Sequence, residues 1–306
     1  MKHHSKVVAA TAVALLACGK RSGSEPSDKP VPTKPVPPVA VGVVPPPVSD
    51  NGLPVLPPAP PLPEVPRGLP DRPATSIAPT PAGVALGELL FFDARVSQAG
   101  KTNCATCHDP ALAFAGNDRA LAADGRPNAR RTPSLINLAW QSDFAWDGRY
   151  SDVATLLTAH IRGQLGDTAD AVAARLAQIP VYRAHFVRAF GLAIDAAPAG
   201  SHVTAALAQY VSTRYSSTST WDQVERTPNA DKNLQAGYQL FTGLAGCATC
   251  HVPPLYTDNR FHRIGLIATP DEGRGKVDPA LNGAFRTPSL RALNNRTAFF
   301  HDASAP

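Results

Sequence analysis

Methionine is all but missing from this sequence: Met1 is the only one in 306 residues. Cysteine is nearly as scarce, and five are too few for the disulfide framework that holds small secreted folds together. No apolar run approaches the ~20 residues that a membrane-spanning helix needs. No Lys/Arg run alternates with aromatics, so the stacking platform of a nucleic-acid binder is excluded. The formal charge of +5 does not change this, because from Ala82 to Pro306 there are 21 Lys and Arg against 19 Asp and Glu, and they are dispersed. That part is close to neutral, and nucleic acid is not an expected partner.

Proline is what the sequence has in excess, and 20 of its 32 prolines fall between Pro26 and Pro81. Such a composition cannot bury a core and favours extended polyproline-II segments, so residues 18–82 are expected to form a disordered tether. Ahead of it, Lys2, His3, His4 and Lys6 precede an apolar run from Val7 to Ala17, the pattern of an export signal over residues 1–17. The run ends in Leu15-Leu16-Ala17-Cys18, which resembles the lipobox of bacterial lipoproteins and makes Cys18 the expected lipidation site; the alternative is a plain signal peptide with an incidental cysteine. The chain is therefore expected to be exported and held on the periplasmic side by a lipid anchor alone. Gly19, rather than Asp, follows Cys18 and leaves delivery to the outer membrane open.

The rest of the chain repeats itself. Cys104-Ala105-Thr106-Cys107-His108 recurs as Cys247-Ala248-Thr249-Cys250-His251, and Arg131-Thr132-Pro133-Ser134-Leu135 recurs as Arg286-Thr287-Pro288-Ser289-Leu290. Fifteen residues after each arginine comes an aromatic turn, at Trp146-Asp147-Gly148 and at His301-Asp302-Ala303. Upstream, Gly87–Phe91 matches Gly237–Phe241. Each half thus has an apolar helix, a CxxCH, a loop, a Pro turn and an aromatic turn, which reads as duplication of one module. Elsewhere the pattern is helical: Ala171, Val172, Leu176 and Ile179 have helical spacing, and Ser201 stands as an N-cap before Val203–Val211. The linker Asp195–Gly200 divides an N-terminal domain, 83–199, from a C-terminal one, 200–306. The expected fold is mainly α, two cytochrome c-like haem domains packed together.

Two thiols three positions apart on one helical turn can add to the two vinyl groups of a haem, and the adjacent histidine then reaches the iron. The pattern predicts two covalent haem c groups, one on Cys104 and Cys107 with His108 as iron ligand, the other on Cys247 and Cys250 with His251. A zinc site needs further Cys or His ligands, and the cysteines are already used as one anchor and two pairs. Export fits, since bacteria attach haem c outside the cytoplasmic membrane. Arginine makes up 18 of the 21 basic residues after Ala82 and suits haem propionates.

Leu90-Phe91-Phe92-Asp93-Ala94-Arg95-Val96-Ser97, the Arg-Thr-Pro-Ser-Leu turns, Phe144–Arg149, Tyr256–His262 and Phe299-Phe300-His301-Asp302 resemble the bacterial di-haem cytochrome c peroxidases. That family includes the di-haem enzyme that matures the tryptophan-derived cofactor of methylamine dehydrogenase. The resemblance covers nearly all of Ala82 to Pro306. It implies a peroxide-reactive haem on His108, an electron-transfer haem on His251, and Trp146 as the tryptophan between them, though Trp146 can also be core filling.

Three departures from the family pattern follow. The positions of the distal glutamine, proline and glutamate carry Leu156, His160 and Gly166. His160 is then a distal acid–base group, a sixth iron ligand or a structural histidine, with Gln164 and Asp167 near enough to compensate. The loop Ala111–Arg130 holds no histidine, so no switchable ligand is expected from it. The oxygen donors that hold a calcium ion in relatives are replaced by Arg131, Arg296 and Ala298; guanidinium has no lone pair for calcium, so the ion is expected to be absent and a direct arginine contact to serve instead. Finally, the stretch in which relatives find the second haem's sixth ligand does not follow His301. The C-terminal domain is expected to be truncated; otherwise His262, Tyr256 or His301 takes that role, or the position is open.

The function implied is an exported peroxidase that reduces hydrogen peroxide with electrons from a small cytochrome c or cupredoxin, in a chain that can dimerise. The alternatives are a di-haem oxidase of partner-protein side chains and a lipid-tethered electron carrier without peroxidase activity.

Overall fold

The computed structural model describes residues 47–50, 52–73, 78–224, 231–265 and 271–305. The export run and Cys18 lie outside the described residues. The helices are α1 (Pro81–Phe92), α2 (Cys104–Cys107), α3 (Val153–Leu165), α4 (Ala169–Ala177), α5 (Pro180–Phe190), α6 (Gly200–Val211), α7 (Thr220–Val224) and α8 (Lys232–Thr242). Among the described residues the strands are one antiparallel pair of two residues each, β1 (Phe261–His262) and β2 (Phe285–Arg286), and short 3₁₀ turns join the elements. The fold is mainly helical, as the periodicity predicts.

Local chemistry sets the helix starts. Pro81 stands at the first turn of α1, and Thr80 accepts the Gly83 N–H at 3.0 Å. Thr168 caps α4 by accepting from Ala171 N at 3.2 Å, and Val172 and Leu176 point into the core as their spacing requires. Ser201 does not cap α6: the helix begins at Gly200, and the Ala199 N–H donates to His202 Nδ1 at 2.9 Å. Gly200 N donates to Asp170 Oδ1 at 2.7 Å, so docking against α4 decides where α6 starts.

The core lies between α1 and α6. Leu86, Leu90 and Phe91 meet Val203, Ala206, Leu207 and Tyr210, with α4 and Phe186 closing the sides. This close crossing depends on Gly87, where an added Cβ would overlap the carbonyl of Ala206. Its counterpart Gly237 on α8 has nothing within 4 Å. Gly87→Ala should therefore destabilise the protein by about 1–3 kcal/mol through overpacking, whereas Gly237→Ala should stabilise it by up to about 1 kcal/mol through helix propensity. Urea unfolding of the two variants checks the opposite signs.

Two expectations are corrected. The boundary at 199/200 assigned α6 to the C-terminal domain, but α6 completes the core of the first module. The described residues form one compact unit. The Pro-rich stretch, expected as a disordered tether to residue 82, instead runs against the helical body over 52–73. Ser217 Oγ donates to the Arg67 carbonyl at 3.4 Å, Trp140 Nε1 to that of Asp71 at 3.3 Å, and Arg72 to Ser212 Oγ at 2.9 Å; Arg188 reaches the Pro57 carbonyl. Proline lacks an N–H but keeps its carbonyl, so a stretch unable to build a sheet or helix can still be held by donors from outside.

The duplication is visible in the backbone. Left-handed residues recur: Phe114 and Tyr256 shortly after each CxxCH, then in strict register Asn137 and Ala292, Ala145 and Phe300, Gly148 and Ala303. The bridge Phe144–Tyr150 recurs as Phe299–Ala305. Ser134 Oγ donates to the Ala113 carbonyl and Ser289 Oγ to that of Leu255, both at 2.6 Å. The halves also exchange bonds reciprocally: Arg131 N–H donates to the His301 carbonyl at 2.6 Å, and Arg286 N–H to the Trp146 carbonyl at 2.9 Å. Each Pro turn is thus fastened to the other half's aromatic turn.

Candidate active site

In the first half, Asn103 caps α2 by accepting from Thr106 N at 3.0 Å, while Thr106 Oγ1 accepts the Asn103 N–H at 3.1 Å. That box holds Cys104 and Cys107 on one turn and delivers His108 at its end. His108 Nδ1 lies 2.9 Å from the Phe114 carbonyl, which orients the ring and leaves Nε2 for another partner. Phe114 can present that carbonyl because it adopts the left-handed conformation, φ 54°. Burial holds the His108 imidazole neutral, with its pKa lowered to about 4. It also pushes the Cys104 thiol up to about 12 and raises that of Cys107. Both cysteines are free of disulfides.

These groups open onto a cavity of about 940 Å³, walled by Phe91, Leu135, Leu138, Leu156, Leu157 and Leu207. The residues fit a haem on an observation independent of the motif. Arg286 reaches this cavity only 7% exposed, and its Nε has no hydrogen-bond partner. Burial lowers its pKa to about 10. Asp143 offsets part of the cost from a distance, but a buried cation with no carboxylate in ion-pairing distance is still costly, and a propionate entering with the cofactor would supply one.

The second CxxCH repeats the geometry with a different cap. Gly246, φ 66°, precedes a 3₁₀ turn over Cys247–Thr249. His251 N donates to the Cys247 carbonyl at 2.9 Å, as His108 N does to that of Cys104. His251 Nδ1 lies 3.1 Å from the Tyr256 carbonyl. Among the described residues, the one His/Cys/Asp/Glu group close enough to hold a metal is Cys250, Asp258 and His262. Thioether formation would consume its cysteine.

The distal residues sort themselves by their partners. His160, on α3, lines the cavity, and its charge is close enough to disfavour protonation of His108. Its Nδ1 lies 3.1 Å from the Leu156 carbonyl, and Nε2 has no partner among the described residues. Gln164 is engaged with Asn128 in both directions, at 2.9 and 3.1 Å, and Asp167 is paired with Arg175 at 2.7 Å. Neither is free to replace the lost acid–base pair. Gly166, at the position for which the resemblance implies glutamate, ends α3 in the left-handed conformation at φ 68°.

Trp146 is buried at the seam between the halves and donates from Nε1 to the Arg131 carbonyl at 2.7 Å. His301 lies beside it, ring centroids 6.5 Å apart, stacked on Phe285 at 3.7 Å. Of the three substitutes for the second iron's sixth ligand, His301 lines the His108 cavity and His262 is held by Asp258 at 2.7 Å. Tyr256 lies on the loop that orients His251. The buried networks were not apparent from motifs: Arg130 bridges Asp147 and Asp271, each at 2.7 Å, and the orphan Arg286 stands out only through its surroundings.

The family model described as di-haem cytochrome c peroxidase matches residues 81–230. "Methylamine utilization protein MauG" of Methylorubrum extorquens is 42% identical over 235 residues, which are 73% of this chain and 65% of that protein. "Cytochrome-c peroxidase IdrP1" of Denitromonas iodatirespirans is 31% identical over 291 residues, 81% of this chain and 74% of that one. A crystal structure of a MauG-like protein associated with microbial copper homeostasis superposes with a TM-score of 0.65 at 24% identity, covering 82% of this chain and 78% of that one. With both attachment motifs, their duplicated geometry and these relatives in agreement, the chain belongs to the di-haem cytochrome c peroxidase family that includes MauG.

Proposed function

We propose that this chain is an exported di-haem peroxidase that reduces hydrogen peroxide with electrons from a small cytochrome c or cupredoxin. The observation that supports the reading is His160, a titratable side chain on the wall of the His108 cavity with one ring nitrogen unpartnered. A haem bound by Cys104, Cys107 and His108 would supply an iron with an open position and its redox chemistry. The chain supplies the rest. With Nδ1 held by its own helix, His160 Nε2 takes the proton from the near peroxide oxygen and returns it to the far one, so that two electrons and two protons convert one peroxide to two waters. Burial lowers the His160 pKa, which keeps the ring neutral and able to accept. The leucine side chains make the wall apolar, and the Arg286 guanidinium balances carboxylate charge. Trp146 lies on the route between the two sites; its N–H is bonded to a carbonyl, which is no base, so its ring can lose an electron without losing that proton.

The spectrum of the ferric holoprotein tests this. A high-spin component that changes within seconds of adding peroxide is the expected result; two low-spin haems inert to peroxide would leave an electron carrier. A second reading, oxidation of a partner protein's side chains, is favoured by the higher identity to the MauG protein than to the peroxidase. Turnover with a reduced small cytochrome supports the first reading, and peroxide consumption only when a target protein is present supports the second. Export and lipidation belong to the same proposal: Cys18→Ser should move the protein from the membrane pellet to the soluble periplasmic fraction, read by immunoblot.

A further inference from the structure

Arg131 and Arg296 come from opposite halves of the chain and approach the same seam: Arg131 holds the Gly116 carbonyl, and Asn117, the next residue, accepts from Thr297 N, beside Arg296. Arg131 is 3% exposed; its guanidinium donates from Nε to the Phe300 carbonyl at 3.2 Å and from Nη1 to that of Gly116 at 3.0 Å. Arg296 buries Nε and Nη2 with no hydrogen-bond partner. Burial and the Arg131 charge together lower the Arg296 pKa to about 10, and burial lowers that of Arg131. Two other buried arginines are treated differently, since Arg291 has Asp222 and Arg130 has Asp147 and Asp271. Among the described residues neither Arg131 nor Arg296 has a carboxylate within ion-pairing distance.

The neighbouring polar groups offer no relief. Asn117 Oδ1 is taken by Thr297 N at 3.1 Å, and Asn295 Nδ2 donates to the Ala111 carbonyl at 2.9 Å. Nor is the pair a by-product of the duplication. The counterpart of Arg131 is Arg286, whose charge is favoured by Asp143, and the counterpart of Arg296 is Gln141. The residues do not fit calcium either, because guanidinium offers no lone pair and Arg131 already occupies the two carbonyls nearest to it. Two adjacent buried cations call for the opposite kind of ligand.

We propose that Arg131 and Arg296 together bind one carboxylate group at the seam between the modules. A planar fork of N–H donors matches a carboxylate, and two forks leave no charge uncompensated beyond a single positive unit. The carboxylate can come from a haem propionate, because Arg131 also lines the His108 cavity, or from a small free anion such as formate.

The holoprotein, Arg296→Gln and Arg296→Lys separate these sources. Thermal unfolding is followed by circular dichroism in rising formate, with ionic strength held by fluoride. A free carboxylate raises the wild-type midpoint by about 5–10 °C at a hundred times its dissociation constant; Arg296→Lys keeps part of that rise and Arg296→Gln none. A propionate gives no formate dependence, but Arg296→Gln then lowers the midpoint potential of one haem and adds a pH-dependent slope as the freed carboxylate titrates, both reversed in Arg296→Lys. If formate has no effect and Arg296→Gln leaves both potentials and their pH slopes unchanged, the pair holds no carboxylate and the proposal falls.

Discussion

His160→Ala should lower the second-order rate constant for the reaction with peroxide by about 10²–10⁴, the usual contribution of a positioned proton-transfer group, without disturbing the haem absorption bands. The fold should survive, because among the described residues the only hydrogen bond of this side chain is to the carbonyl one turn back on its own helix. Wild-type protein should show an acid limb: imidazolium cannot accept a proton, so the rate falls as pH drops through the His160 pKa. Burial, aided by the Arg149 charge, places that midpoint below the ordinary 6.5. In His160→Ala the limb should vanish. An unchanged rate with the same limb would make His160 a structural residue. A conversion from low-spin to high-spin with a faster reaction would make it a sixth ligand. One variant, followed by stopped-flow absorbance across pH, thus separates all three readings of this residue.

Asp222→Ala should be the most destabilising of the substitutions discussed. Asp222 and Arg291 are 4% and 6% exposed and joined by two bonds of 2.9 and 3.0 Å, and removing one partner of such a pair costs about 3–5 kcal/mol because the other charge stays buried alone. The damage should fall on the second module: Arg291 Nε also donates to the Pro254 carbonyl at 2.7 Å, in the loop between His251 and Tyr256. Denaturant unfolding should show the loss, and Asp222→Asn combined with Arg291→Gln should recover much of it. The pair also sets an acid limit. Burial opposes ionisation of Asp222, but bonds from Arg291 and Ser219 outweigh it and hold the pKa at about 2, below the ordinary 3.8. The stabilisation is therefore complete above about pH 4 and disappears as the pH falls through about 2. An acid-unfolding curve unchanged in the double variant would contradict this.

How much was legible depends on the range over which each feature is determined. CxxCH is local: four peptide units place two thiols and an imidazole on one turn, so Cys104, Cys107 and His108 read directly, and the duplicate at Cys247, Cys250 and His251 reads as the same object. Pro81 and Thr80 mark the start of α1 for the same reason. The Pro-rich stretch misleads because composition reports what a segment can bury by itself, whereas 52–73 are held by donors that Ser217, Trp140 and Arg188 supply. The linker before Gly200 misleads similarly: chain order puts α6 after it, and packing puts α6 on Gly87.

Sequence by itself determined the two CxxCH motifs, their duplication and the helical class, because each is written in residue identity and short spacing. Only the tertiary structure decided that Gln164 and Asp167 are occupied and that, among the described residues, His160 keeps an unpartnered nitrogen on the cavity wall and neither Arg131 nor Arg296 has a carboxylate in ion-pairing distance. Those facts concern which groups remain unpaired after folding, and pairing is a property of neighbours that the chain brings together from far apart.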